Sequence, residues 1–109
     1  MAEVRVSRRW AQALFSLAKE QGAVLGVHRE LLKATALWQQ SDELRLTMRN
    51  PAVSTQSKQK IWQKLLERIG TSRLARNFLH LLFDKSRLQL LPDIATQFGL
   101  LADDAEGRL

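Results

Sequence analysis

Apolar residues recur along the chain at i, i+3 and i+4, and strict apolar–polar alternation never persists, so the pattern predicts helices and no strands. Six segments emerge. The first runs from Val4 to Gln21 and stops at Gly22, a natural glycine just past a helix end. The second covers Ala23 to Gln39, with Val24, Val27, His28, Leu31, Thr35 and Trp38 down one stripe and Gly26 weakening its first turn. The third, Asp42 to Arg49, has Ser41 as an N-cap and two acids at the positive end of its dipole. Asn50-Pro51 stops it, because the residue before proline avoids the α region. Ser54 is placed to cap the fourth, Thr55 to Ile69, which ends at Gly70. Thr71 or Ser72 caps the fifth, Arg73 to Lys85. The sixth follows Arg87. Pro92 is tolerated only in a first turn, so its regular part starts near Leu90 or Leu91. Its core stripe is Leu91, Ile94, Ala95, Phe98, Leu101 and Ala102. The fold class is all-α.

Two of these helices carry more apolar surface than a core contact needs. A stripe somewhat over 100° wide suffices to face a core. At about 100° per residue, the first helix has an arc of about 200°. It reads Ala13, Val6, Leu17, Trp10, Leu14, Ser7, Ala18, Ala11, Phe15. The fifth spans a similar arc of Leu81, Leu74, Phe78, Leu82, Ala75, Leu79 and Phe83. Either both helices are central and bury everything, or one edge of each stays open. Two open edges side by side would form a groove for an amphipathic helix, read through anchors at i, i+3, i+4 and i+7. The edge residues are Val6, Trp10, Ala13 and Leu17 on the first helix. On the fifth they are Leu74, Asn77 and Leu81, with Phe78 shared with the core. Ala13 would let another backbone approach, and Trp10 offers a large flat anchor.

Composition narrows the chemistry. The chain has 109 residues, enough for one core without staples. It has no cysteine, which removes disulfides, thiolate metal sites and thiol nucleophiles. Neither a phosphate-cradling glycine loop nor a paired-histidine metal motif is present. The acids Asp42, Glu43, Asp93, Asp103 and Asp104 sit at helix ends or near the C-terminus, where capping and solvation explain them. His28 lies on an apolar stripe as a core or boundary residue, and His80 on a polar side, where solvent is expected. No catalytic, cofactor-binding or metal-binding residue is assigned. The start of the chain has no signal-peptide pattern, and no apolar run approaches membrane-spanning length. A cytosolic setting is the expectation.

The net charge of +6 points to an anionic partner. Basic residues cluster at Arg5, Arg8 and Arg9, and again at Lys58, Lys60, Lys64, Arg68, Arg73 and Arg76. Lys60, Lys64 and Arg68 share a helix face. No nucleic-acid-binding motif accompanies them, so a solvated surface is the expected role.

The segment Val6 to Ala18, Val-Ser-Arg-Arg-Trp-Ala-Gln-Ala-Leu-Phe-Ser-Leu-Ala, resembles the opening of the delta subunit of bacterial F-type ATP synthase. The mitochondrial counterpart is the oligomycin sensitivity-conferring protein. Ser7 stands where that family has Ala, and Trp10 where it has Tyr. Asn50-Pro51 is similar to the family's Asn-Pro. The stretch Arg76-Asn77-Phe78-Leu79 through Arg87-Leu88-Gln89-Leu90-Leu91-Pro92-Asp93-Ile94 also matches, with Ser86 in place of Gly. Glycine reaches positive φ easily and serine does not, so the turn at Ser86 is where a departure is expected.

The resemblance covers essentially the whole chain. It implies the family's N-terminal domain, a compact six-helix bundle, over residues 1–104. Residues 105–109 would begin a linker, with the family's C-terminal, stalk-binding domain absent. It further implies a non-catalytic stator component that binds the N-terminal helix of an alpha subunit between the first and fifth helices. Contact with the peripheral stalk would pass only through the missing domain. No cofactor, nucleic acid or membrane insertion is implied. The isolated domain would be a monomer, and its setting the cytoplasmic face of the bacterial inner membrane, as a peripheral part of the complex. The alternative is an RNA-binding helical module of the transcription antitermination type, which would use the positive charge.

Overall fold

The structure is a computed structural model and describes residues 2–105. It contains helices α1 (Ala2–Glu20), α2 (Val24–Gln40), α3 (Asp42–Arg49), α4 (Thr55–Ile69), α5 (Arg73–Asp84) and α6 (Leu91–Ala105). A single 3-10 turn, Leu88–Leu90, precedes α6. Among the described residues there is no strand. The fold is the expected six-helix bundle, and its ends are set by the residues that sequence marks. Ser41, Ser54 and Ser72 each accept a backbone N–H from three residues on, at 3.0, 3.1 and 3.5 Å. Of the two candidate caps for α5, Ser72 is the one used. Gly22 and Gly70 adopt φ of +64° and +71°, the left-handed ends that a side chain would disfavour.

Differences from the expected boundaries are local. α1 begins at Ala2, ahead of Val4, with Glu3 favourably placed in its first turn. α5 ends at Asp84, and the chain then turns through Ser86 at φ +57°. The 3-10 turn is the link that the period-based reading lacked. It brings Leu88 and Leu90 into the core before Pro92 enters the first turn of α6. α6 reaches Ala105, where the linker was expected to begin, and residues 106–109, the rest of that expected linker, lie outside the described residues.

α2 is the central strut and touches every other helix. α1 packs chiefly on α6, and α5 packs on α2, α4 and the 3-10 turn. The core centres on Trp62 and Phe98, both fully buried. Trp62 meets Trp38 edge-to-face at 6.5 Å, and its Nε1 donates to the Leu79 carbonyl at 3.0 Å, joining α4 to the middle of α5. Phe98 takes the edge-to-face ring of Phe15 at 5.7 Å and the stacked imidazole of His28 at 5.9 Å. His28 is thus the boundary residue expected of it. His80 is not fully solvated but half-buried, because neighbours crowd α5 from α2, α4 and the turn. Arg45 latches α3 to the end of α2, donating to the carbonyls of Trp38 and Gln39 and pairing with Asp42.

Candidate partner-binding site

The two wide apolar arcs do not bury completely. On α1 the buried face is Ser7, Ala11, Leu14 and Ala18. Val6 and Trp10 are half-buried, Ala13 is exposed, and Leu17 keeps 47% of its surface in solvent. On α5 the buried face is Ala75, Phe78, Leu79 and Leu82. Leu74 is half-buried, Asn77 exposed, and Leu81 keeps 42% of its surface. Of the edge residues, Ala13, Leu17, Asn77 and Leu81 are exposed, whereas Val6, Trp10 and Leu74 pack partly against the core, as Phe15 and Phe83 do on the opposite edges.

The two edges meet. Trp10 and Phe78 form an edge-to-face pair with centroids 5.9 Å apart and planes at 77°. Flanking Trp10 at i−4, i+3 and i+7 are Val6, Ala13 and Leu17. Flanking Phe78 at i−4 and i+3 are Leu74 and Leu81. In a helix these offsets share a face, so two apolar rows run alongside one aromatic contact. The aromatic pair lies between the two rows, a lane here termed the α1–α5 channel, with Ala13 its one small apolar side chain and Asn77 an exposed amide beside Phe78. Such a surface offers apolar area, a flat anchor and an amide. It suits a helix that presents a stripe of side chains.

Other features do not join this channel. Among the described residues no three His, Cys, Asp or Glu side chains come together as a metal site requires. A depression of about 810 Å³ lies at the ends of α2 and α5, where Trp38, Arg45, Lys58, Phe83 and Asp84 meet. A smaller one of about 400 Å³ runs between α2 and α6, past His28, Leu32, Gly99 and Leu100. Leu32 and Leu100 are half or more exposed there. Sequence reasoning missed both, since each is assembled from helices far apart in the chain. No helix among the described residues is long and apolar enough to cross a membrane.

The fold is an all-helical domain with two partly exposed apolar rows on α1 and α5. The chain belongs to the ATP synthase delta (OSCP) subunit family, whose model matches residues 6–109. It is 32% identical to the ATP synthase subunit delta of Citrifermentans bemidjiense over 107 residues, 98% of this chain and 59% of that protein. It is 36% identical to that of Magnetococcus marinus over 107 residues, 98% of this chain and 58% of that one. The subunit delta of Moorella thermoacetica is 34% identical over 109 residues, all of this chain and 60% of that protein. The chain thus spans about three-fifths of the length of these relatives.

Proposed function

We propose that this chain is the head-binding domain of a non-catalytic stator component of F-type ATP synthase. Its α1–α5 channel takes the amphipathic N-terminal helix of an alpha subunit. The domain occupies residues 1–104, and its link to the peripheral stalk runs through the remaining length that its relatives carry. It works as a peripheral part of the complex on the cytoplasmic side of the membrane. The role is mechanical. A rotor turning inside the catalytic head drags the head with it unless something holds it, and a static helix-in-groove joint supplies that hold. The requirement is slow dissociation, not acid–base chemistry.

The observation that carries this reading is the uncovered pair of apolar rows on either side of the Trp10–Phe78 contact. Membership of the delta family supports it. The test is a titration of an alpha N-terminal peptide into the domain by calorimetry. Ala13→Asp places a charge on an exposed position, so the domain stays folded while the channel becomes hostile. Trp10→Ala removes the anchor, a loss of about 2 kcal/mol or roughly 30-fold in affinity for a buried aromatic hot spot. Wild-type affinity in both variants would remove the channel from the interface.

A further inference from the structure

Two polar contacts reach α5 from its neighbours α4 and α2. Trp62 on α4 donates to the Leu79 carbonyl at 3.0 Å and holds the middle of the helix. At its start, the Glu30 carboxylate on α2 accepts the backbone N–H of Ser72, a contact spanning 42 residues of sequence. Ser72 is also the N-cap, its hydroxyl accepting from the Ala75 N–H. Leu74, the first apolar residue of the α5 row, lies two positions further on. Glu30 is not held by an ion pair, since among the described residues no basic group lies within 4 Å of its carboxylate. It sits on a half-buried position of the central strut and reaches the turn where α5 begins.

We propose that Glu30 is a positioning residue for the channel. By accepting the Ser72 N–H it fixes the first turn of α5, and so the place of Leu74 opposite α1, without itself meeting the bound helix. The inference rests on the channel reading above. The contrast with Trp62 is in accessibility. The Trp62 bond is buried and belongs to the fold, whereas the Glu30 contact is exposed and can be removed with the core intact.

The experiment compares wild type, Glu30→Ala, Glu30→Gln, Trp10→Ala and Ala13→Asp in the same peptide titration, together with backbone amide exchange. Losing one hydrogen bond to a charged acceptor at an exposed site is expected to weaken peptide binding about five-fold in Glu30→Ala. Exchange should quicken at Ser72 to Ala75 and stay unchanged in α1, α4 and α6. Glu30→Gln keeps a side-chain oxygen as acceptor and should recover affinity to within about two-fold of wild type. Wild-type binding by Glu30→Ala would overturn the proposal. So would a Gln variant as weak as the Ala variant, or faster exchange spread evenly over the domain. Ala13→Asp separates the two levels. If it and Trp10→Ala both bind as wild type, the channel reading itself fails. If it loses binding while Glu30→Ala does not, only the role of Glu30 falls.

Discussion

Ser7 carries a hydroxyl into the centre of the buried face of α1, where its Oγ has no hydrogen-bond partner. An orphaned buried polar group costs about 1–3 kcal/mol. Serine is also a poorer helix former than alanine. Ser7→Ala is therefore expected to stabilise the domain by about 1 kcal/mol, seen as a rise of a few degrees in Tm by circular dichroism. Ser86 is a second local cost. It holds φ +57° with a Cβ present, in the turn between α5 and the 3-10 segment. A left-handed residue other than glycine costs about 1–2 kcal/mol, part of which glycine's greater unfolded freedom takes back. Ser86→Gly should thus gain up to about 1 kcal/mol, and the two gains should add, since the sites share no partner. A drop in Tm for either variant would contradict the account. Ser7 and Ser86 are also two of the positions where the resemblance implies another residue, Ala and Gly, and the structure shows an unpaired hydroxyl at the first and a positive φ at the second.

At the scale of elements, the helix ends were legible because they rest on one or two neighbouring residues. Ser41, Ser54, Ser72, Gly22 and Gly70 each announce an end without knowledge of the rest of the fold. The 3-10 turn and the crossing of α2 on α6 were not legible, because distant residues decide them. Gly99 shows why. A Cβ built there would lie 2.9 Å from His28 Nε2, whose ring is already stacked on Phe98. Gly26 looks similar in sequence, a glycine inside a helix, yet its added Cβ would meet nothing within 4 Å. Replacing glycine by alanine in a helix interior gains about 1 kcal/mol when space is free. Gly26→Ala should therefore raise Tm. Gly99→Ala should not, because displacing the imidazole costs about as much as the helix gains, or more. Denaturant melts of the two variants side by side decide it. Equal stabilisation would mean that the α2–α6 crossing has slack that the close approach does not suggest.

For the whole molecule, the question is which surface does the binding: the cationic one or the apolar one. The excess width of two apolar arcs singled out Val6, Trp10, Ala13, Leu17, Leu74, Asn77, Phe78 and Leu81, of which Ala13, Leu17, Asn77 and Leu81 are exposed, Val6, Trp10 and Leu74 half-buried and Phe78 buried. That Trp10 meets Phe78, and that Glu30 anchors the start of α5, depends on contacts spanning tens of residues that no local pattern encodes. The basic residues are divided. Lys60, Lys64 and Arg68 are exposed on the side of α4 away from its buried Trp62 and Leu66, whereas Arg5, Arg8 and Arg9 lie on α1 and Arg73 and Arg76 on α5. A net charge of +6 is expected to speed encounter with an acidic partner more than it slows dissociation. This separates the alternatives by salt. Surface charges are screened over about 8–10 Å near physiological ionic strength, while buried apolar contact is nearly indifferent to salt. Between about 50 and 200 mM salt the equilibrium affinity for the alpha peptide should change by less than about three-fold. The change should fall mainly on the association rate. A nucleic-acid partner neutralised by six or more lysines and arginines would lose about 10³-fold or more over the same range. Surface plasmon resonance on both ligands reads the two rates directly. A steep loss of peptide affinity with salt, carried by dissociation, would move the binding from the channel to the basic face.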